Sequence, residues 1–340
     1  MGDPALLASS LISRLPNPSI ALVAPPQWWW QSGSIVDGLL AYTHATSSSQ
    51  YKDLIANTLI SQVTGTNDFM TPDATGNDDQ AWWALAAMSA AEYGIPAPGL
   101  PWIQIARNVF EEQKGRWDMG RCGGGLKWKI REGDNGWHYK STISNGLFFQ
   151  LAARIARFTG DADALRWAEK SYDWVVGVGL ISQEFDVYDG TDDAKGSGCV
   201  DVNHDQWTYN TGTFLYGAAV LTEYTGDQKW KDRASGFLAG AKRNFVKDGR
   251  LLETKCEEYF TCNTDQVSFK ATLLRWMGAA ATIMPELRSE VRKVLNGAAG
   301  EIMGAWNPSL GIMEHFTALE LVDASIAAEG QLGRPEGYSV

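Results

Sequence analysis

The chain has 340 residues, of which 44% are hydrophobic and 20% charged, and its formal net charge at pH 7 is −11. A chain of this length buries roughly three quarters of its unfolded surface, so it needs neither a metal nor a dense disulfide framework to fold. The acidic balance disfavours a nucleic-acid partner, because phosphate recognition draws on clustered Lys and Arg, and no such cluster occurs. These numbers predict a soluble globular protein of one or two domains.

Neither end of the chain resembles a targeting segment. No run of about 18 apolar residues occurs, so the sequence predicts no membrane span. Residues 1–4 do not resemble a signal peptide, and residues 336–340 do not form an anchor tail. We therefore expect either a cytosolic protein or a secreted one whose targeting segments are absent from this chain.

The cysteines favour the second alternative. Cys122, Cys199, Cys256 and Cys262 lie in Gly-rich or polar stretches, and four cysteines allow three pairings. Neither Cys-x2-Cys spacing nor a His beside a Cys indicates zinc, and we expect no metal and no cofactor. We expect two disulfides, Cys122–Cys199 and Cys256–Cys262, rather than free thiols.

Helical periodicity predicts two alternating kinds of helix along the chain. One kind is amphipathic and charged, and is predicted at 3–14, 50–63, 101–115, 162–176, 229–246 and 286–303. The other kind is apolar nearly all round, which indicates burial on every side, and follows each of the first at 33–45, 78–93, 142–158, 206–224, 265–284 and 314–328.

Six such pairs follow one another at a spacing of about 45 to 65 residues, and no alternating strand pattern lies between them. They predict an all-α fold, an (α/α)6 barrel of six helical hairpins. An open helical solenoid is the alternative, but it would expose its terminal repeats. Connections from apolar to charged helices are short, as at 159–161 and 225–227, whereas the reverse connections are long and hold all four cysteines. We expect one domain over 1–340, with the active site at the mouth where the long loops and the inner-helix N-termini meet.

Two adjacent carboxylates open the second apolar helix. Asn77 is the expected N-cap, with Gln80 reaching back as in a capping box, so that Asp78 and Asp79 take the first helical positions. Acidic residues often lie there simply because they favour the positive end of the helix dipole. Because this helix is apolar on all sides, its first turn should lie at the barrel mouth. Cleavage of a glycosidic bond requires one carboxylate and one carboxylic acid, which such a pair can supply.

Aromatic residues gather in the long loops and in the first turns of the inner helices. Core packing explains any single Trp, but a group at one end of the barrel favours sugar binding, since pyranose rings stack on aromatic planes while their hydroxyls need amides and carboxylates. The aromatic candidates are Trp28, Trp29, Trp30, Trp128, Trp137, Tyr139, Trp207 and Tyr209. The polar candidates are Asn145, His204, Asp205, Gln206 and Asn210.

The residues 77–83, NDDQAWW, with the Ala-rich segment 86–92, resemble the signature of glycoside hydrolase family 76, the α-1,6-mannanase-like enzymes. The likeness is greatest to the fungal cell-wall branch, which acts on GPI-anchored mannoproteins. Blocks at 140–154, 187–190 and 206–212 agree, and the likeness runs from about residue 29 to about residue 330. Gln31 departs from the pattern, because an acidic residue is expected after the Trp cluster.

This resemblance implies an (α/α)6 barrel and a retaining mechanism, with Asp78 as nucleophile and Asp79 as acid/base. For the fungal branch it also implies an extracellular monomer, at the cell wall or the outer face of the plasma membrane, that transfers a mannan or GPI-core glycan to a β-glucan acceptor or to water. Association with the membrane would then depend on segments absent from this chain. The expected substrate-binding residues are Trp29, Asn77, Gln80, Trp83, Trp128, Asn145, Asp189, Gly190, His204, Trp207, Tyr209 and Asn210.

Two other functions fit the same barrel. A glycan-binding protein would keep the cleft without turnover, because the same stacking groups serve binding and catalysis. A sugar epimerase would need paired histidines facing the cavity, for which His204 and His315 are the candidates.

Overall fold

The computed structural model describes residues 2–194 and 198–330. Twelve helices occur in these ranges, each within a few residues of a predicted one. In chain order they are α1 (Pro4–Ile12), α2 (Trp29–Thr46), α3 (Lys52–Gln62), α4 (Asn77–Glu92), α5 (Trp102–Gly115), α6 (Thr142–Thr159), α7 (Ala162–Gly177), α8 (Thr208–Thr225), α9 (Gln228–Phe245), α10 (Gln266–Ile283), α11 (Arg288–Ala305) and α12 (Ile312–Ala328).

The even-numbered helices form a closed inner ring. Each packs on the next in sequence, and α12 packs on α2, so the ring closes. The odd-numbered helices lie outside and contact their inner neighbours. The predicted (α/α)6 barrel is therefore confirmed, and the open solenoid is excluded by the contact between the first and last inner helices.

Small residues allow the inner helices to approach one another closely. A Cβ on Gly278 of α10 would lie 2.6 Å from the Cα of Ala324 in α12. On α4, every residue from Gln80 to Ala90 is buried. The absence of a charged face in these segments thus follows from their position inside the ring, where an unpaired charge would be costly.

The short connections are built from a Gly and an Asp. Gly160 and Gly226 end α6 and α8 in the left-handed conformation, with φ of 71° and 67°. Asp161 and Asp227 follow directly and cap α7 and α9 by accepting hydrogen bonds from first-turn N–H groups. Glycine at the end of one helix and aspartate at the start of the next are the residues that such a tight turn favours.

Three short strands were missed by the sequence analysis. β1 (Tyr139–Ser141), β2 (Tyr188–Asp192) and β3 (Val202–Gln206) form an antiparallel sheet at the mouth, with β2 in the centre. A two-stranded hairpin follows α9, with β4 (Val246–Lys247) and β5 (Arg250–Leu251). Strands this short and polar show no alternation of apolar and polar residues, which is the signal that sequence analysis depends on.

The structure contains both predicted disulfides, Cys122–Cys199 and Cys256–Cys262, and both lie in mouth-side loops. A hydrophobic core extends from Leu7 in the first helix to Ala328 in the last. No helix within the described ranges is long and apolar enough to cross a membrane. The single domain over 1–340 stays a prediction, since residues 331–340 lie outside the described part.

Candidate active site

A cavity of about 630 Å³ opens at the mouth, where the inner helices begin. Its aromatic lining consists of Trp28, Trp29, Trp30, Trp82, Trp128, Tyr139, Trp207, Tyr209 and Phe269. Its acidic lining consists of Asp73, Asp78, Asp79, Asp189, Asp205 and Asp265. Within the described ranges, Lys129 is the one cationic side chain in this lining.

Helix α4 begins one residue earlier than its expected cap would place it. The N-cap is Gly76 and not Asn77, and Gln80 does not close a capping box. Instead Asp79 reaches back, and its Oδ2 accepts hydrogen bonds from the Gly76 N–H at 2.7 Å, the Thr75 N–H at 3.1 Å and the Thr75 hydroxyl at 3.0 Å. Asp79 therefore caps the helix with one oxygen, while the cavity borders the same side chain.

Asn77 and Gln80 lie outside the cavity lining and are buried. The carboxamide oxygens of both accept hydrogen bonds from Arg116, at 3.0 and 2.8 Å. Asn77 also donates to the carbonyl of Lys127 at 2.8 Å, and Gln80 donates to Glu112 at 2.5 Å. These two residues fix the start of α4 against α5 and the following loop, so direct substrate contact is not their role in this arrangement.

The carboxyl group of Asp78 points into the cavity with a donor on each oxygen. The Trp128 indole N–H donates to Oδ2 at 3.1 Å, and the Ser144 hydroxyl donates to Oδ1 at 3.3 Å. A Cβ built on Gly76 would lie 2.3 Å from Asp78 Oδ1 and 3.3 Å from Asp79 Oδ2. The sum of these distances is an upper limit on the separation of the two oxygens. It is smaller than the roughly 6.5 Å that inverting glycosidases need.

Burial changes the protonation of both catalytic candidates. It raises the pKa of Asp78 to about 8, with the charge of Asp79 raising it further and Lys129 and Trp128 acting against the rise. Burial also raises the pKa of Asp79, although the hydrogen bonds from Gly76 and Thr75 oppose it. Two half-buried carboxyl groups this close cannot both ionise easily, so we expect the pair to hold one proton near neutral pH.

Lys129 was not among the sequence candidates. Its ammonium donates to the Thr75 hydroxyl at 3.0 Å and lies 4.1 Å from the centroid of the Trp128 ring. Lys129 thus contacts both Thr75, which donates to Asp79, and Trp128, which donates to Asp78. No motif marks it, because it lies in an irregular loop that pairs with the start of α4 through the isolated bridge between Gly76 and Lys129.

Stacked indole rings build one wall of the cavity. Trp29 stacks on Trp83 with centroids 5.2 Å apart, and Trp30 stacks on Trp82 at 5.1 Å. Trp83 is fully buried and packs behind Trp29. It was expected to bind substrate but does not line the cavity. Trp82 lines the cavity, although the sequence analysis did not select it as a contact.

Tyr209 and Trp207 line the cavity as expected from the sequence, and Tyr209 continues the same aromatic wall by stacking on Trp82 with centroids 6.4 Å apart. Tyr209 stacks on Phe269 with centroids 3.8 Å apart, and Trp207 packs edge-on against the same ring at 5.8 Å. Phe269 itself was missed. It lies on the first turn of α10, where the apolar pattern gave no reason to separate it from the core.

The small sheet places Asp189 at the cavity. The Tyr139 hydroxyl donates to Asp189 Oδ2 at 2.6 Å, and the Asn203 amide donates to the same oxygen at 3.3 Å. Gly190 does not line the cavity, but a Cβ there would lie 2.5 Å from the Tyr139 ring. Glycine at this position therefore leaves room for the tyrosine to reach Asp189.

Three other expected contacts lie outside the cavity lining. Asn145 is buried and pins the backbone of Leu126, accepting from its N–H at 2.8 Å and donating to its carbonyl at 3.0 Å. Asn210 is buried within α8. His204 is exposed and packs on Tyr188 with ring centroids 4.5 Å apart, while its neighbour Asp205 does line the cavity.

The histidines do not form a pair at the cavity. His315 is buried, lies outside the lining, and accepts a hydrogen bond from the Trp306 indole at 3.0 Å. With His204 also outside the lining, the arrangement that an epimerase needs is not present among the described residues.

The barrel thus carries two adjacent, half-buried carboxyl groups in an aromatic, acidic cavity, which is the arrangement of an enzyme that cleaves glycosidic bonds. The chain belongs to glycosyl hydrolase family 76, whose family model matches residues 13–325, and it is a glycoside hydrolase.

Relatives and solved structures agree with this family. The chain is similar to mannan endo-1,6-alpha-mannosidase DCW1 of Saccharomyces cerevisiae, with 37% identity over 330 residues, 89% of this chain and 73% of that protein. The crystal structure of Dfg5 from Chaetomium thermophilum in complex with glucosamine matches with a TM-score of 0.90 and 31% identity over 98% of this chain and 90% of that one. The GH76A alpha-1,6-mannanase of Salegentibacter sp. HEL1_6 shares the fold, with a TM-score of 0.77 and 21% identity over 95% of this chain and 99% of that one.

Proposed function

We propose that this protein is a retaining α-mannoside-acting enzyme of the cell wall. It cleaves an α-1,6-mannan or a GPI-core mannoside and transfers the glycosyl group to a wall β-glucan or to water. The observation that carries the proposal is the pair of adjacent carboxyl groups, Asp78 and Asp79, which both line the cavity and lie close enough for a retaining mechanism. The similarity to a fungal mannan endo-1,6-alpha-mannosidase supports the substrate class.

In the proposed first step, Asp78 attacks the anomeric carbon while the bond to the leaving oxygen breaks. Asp79 gives its proton to that oxygen, and a glycosyl ester forms on Asp78. Trp128 and Ser144 orient the nucleophile by donating to its two oxygens. In the second step Asp79 removes a proton from water or from an acceptor hydroxyl, which attacks the anomeric carbon and releases Asp78. Two inversions give overall retention.

The location of the shared proton decides the roles of the two aspartates. Three donors on Asp79 Oδ2 favour the anion on Asp79 in the substrate-free site. The proposed roles require the proton on Asp79 once a glycoside is bound. Binding must therefore move the shared proton, which the closeness of the two carboxyl groups allows.

The charge of the cavity supports a donor that carries an amine. Six aspartates line it against Lys129 among the described residues. The similar Dfg5 of Chaetomium thermophilum was crystallised with glucosamine. A GPI-core glycan, which contains an amino sugar, would gain electrostatic attraction that a neutral mannan would not.

The compartment and the oligomeric state complete the proposal. The disulfides Cys122–Cys199 and Cys256–Cys262 support an oxidising, extracellular compartment. We further propose that the enzyme acts as a monomer.

The direct test is a product assay. A short α-1,6-mannooligosaccharide or GPI-core glycan is incubated with and without a β-1,3-glucan oligosaccharide acceptor. Products with retained α configuration are expected, together with a glucan-linked product when the acceptor is present. Hydrolysis alone would contradict transfer. Binding by calorimetry without any product would instead assign a glycan-binding protein.

Azide rescue tests the two roles separately. Asp78→Asn and Asp79→Asn should each lower kcat by at least about 10³, because each removes a group that acts in the transition state. With an activated aryl α-1,6-mannobioside and azide, the Asp78 variant should give the β-glycosyl azide and the Asp79 variant the α-glycosyl azide. The opposite pattern of products would exchange the two roles.

A further inference from the structure

The loop closed by Cys256–Cys262 presents two aromatic side chains to solvent. Tyr259 is 68% exposed and Phe260 is 96% exposed. Phe260 also has a φ of 54°, in the left-handed region that bulky residues rarely occupy. Such a conformation is strained for a residue with a large side chain and is concentrated at functional positions. Nothing in the packing of the core requires an aromatic residue here, since the ring is almost fully outside it.

This loop lies at the edge of the cavity. It belongs to the connection between α9 and α10, on the mouth side of the barrel. Asn263, Asp265 and Gln266, which follow it directly, line the cavity. Three residues span at most about 11 Å of chain, so the backbone of Phe260 lies within that distance of the lining residue Asn263. A glycan leaving the cavity on this side would pass the two rings.

The loop is held rigidly by bonds on both sides. Glu257 forms an ion pair with Lys270 of α10 at 2.7 Å, and Glu258 pairs with Lys247 of the hairpin at 2.7 Å. After the loop, Asn263 Oδ1 accepts a hydrogen bond from the Gln266 N–H at 2.9 Å, next to the start of α10. A platform fixed in this way loses little conformational entropy when a ligand binds.

We propose that Tyr259 and Phe260 form an outer sugar-binding platform that stacks on a pyranose ring of the glycan extending beyond the cavity. The inference rests on the proposed function, since it needs a glycan in the cleft. Two rings flanked by Glu257 and Glu258 suit a polar ligand with an apolar face, which a pyranose has. The two lysines beside the loop are paired with these glutamates, so the loop lacks the excess of positive charge that attracts a protein to an anionic membrane surface. The apolar area of two side chains is also far smaller than a stable protein interface.

The decisive measurement compares long and short ligands. The double variant Tyr259→Ser/Phe260→Ser removes both rings from an exposed loop and should fold. Its kcat/KM for α-1,6-mannohexaose should fall about 3- to 10-fold, as expected for the loss of about 0.5–1.5 kcal/mol of ring stacking. Its kcat/KM for an aryl α-1,6-mannobioside, which ends within the cavity, should stay unchanged. Leu6→Ser, which removes an exposed apolar side chain from the outer helix α1, is the matched control and should change neither value.

A second set of ligands distinguishes the donor chain from the acceptor chain. Calorimetry in the Asp78→Asn/Asp79→Asn background measures binding of mannohexaose and of a β-1,3-glucan hexaose without turnover. Weakened binding of either one in the loop variant supports the platform and identifies which chain it holds. Unchanged binding of both, or equal losses for long and short ligands, would overturn the proposal. Loss of binding only to anionic phospholipid vesicles would overturn it as well.

Failure of the proposed function would be recognised separately. In that case the unmodified protein would give no product from any mannoside, whereas the calorimetric comparison would still report on the loop. Phe260→Trp should preserve the preference for long ligands, because the larger ring keeps the stacking face.

Discussion

Gly76 immediately precedes the catalytic pair, and its replacement by alanine tests the geometry of the site directly. The backbone of Gly76 is extended, with φ of −110° and ψ of 154°, so alanine fits there without backbone strain. Its Cβ, however, would lie 2.3 Å from Asp78 Oδ1 and 3.2 Å from the backbone carbonyl of Trp128. The Trp128 carbonyl is fixed by the backbone bridge between Gly76 and Lys129, so it cannot move away from the new Cβ. The carboxyl group of Asp78 therefore has to move by about 1 Å to reach ordinary contact distance from that Cβ.

A displacement of about 1 Å at a reacting group costs about 10² in rate. We therefore expect Gly76→Ala to lower kcat/KM by about 10²-fold, which corresponds to about 2.7 kcal/mol of transition-state stabilisation. The effect on stability should be small, because alanine at an N-cap costs about 1 kcal/mol or less relative to glycine.

The assay combines kcat/KM on an aryl α-1,6-mannobioside with the Tm of each variant. Gly300→Ala is the matched control: it lies in the outer helix α11, and a Cβ there meets nothing within 4 Å. It should keep full activity and an equal or higher Tm, since alanine is the better helix former. A folded Gly76→Ala variant with the activity of the unmodified protein would refute the proposed role of Asp78, because the nucleophile cannot tolerate such a shift.

Two further predictions concern charges buried near the other end of the barrel. Burial, reinforced by Glu320, raises the pKa of Asp323 well above its ordinary value, and neither of its carboxylate oxygens has a hydrogen-bond partner within the described part of the chain. A pKa that is raised in the folded state stabilises the protein at low pH, and this contribution is lost as the pH rises through the folded-state pKa. Between pH 6 and 9 the Tm of Asp323→Asn should therefore fall less than the Tm of the unmodified protein, whereas the Tm of the exposed control Asp173→Asn should fall as in the unmodified protein. Parallel Tm curves for Asp323→Asn and the unmodified protein would contradict this. Despite its burial, Glu92 has a lowered pKa, because Arg154 and Arg157 donate hydrogen bonds to it at 2.7 and 2.6 Å. Glu92→Gln should lower the free energy of unfolding, measured by urea titration, by about 3–5 kcal/mol, because it leaves both cations poorly compensated. A change below about 1 kcal/mol would show that the arginines find other partners.

The order and the kind of the helices could be predicted from the sequence alone. A helix that is buried on every side is apolar nearly all round, and a helix that is buried on one side is amphipathic, so the pattern of each segment indicates its position in the barrel. The Gly-Asp turns at 160–161 and 226–227 likewise follow from local chemistry. The adjacent carboxylates were visible for the same reason, because two charges opening an apolar helix need a special environment.

What surrounds those carboxylates was decided by the tertiary structure. Trp128, Ser144 and Lys129 reach the pair from loops and helices about 50 to 65 residues away, through contacts that leave no periodic signal. The same limit explains why some expected contact residues lie outside the cavity lining. Asn77, Gln80 and Asn145 have side chains suited to a sugar, yet the fold uses them to hold its own backbone and neighbouring side chains. A polar side chain shows in sequence what it can bind, but only packing decides whether its partner is the substrate or the protein itself.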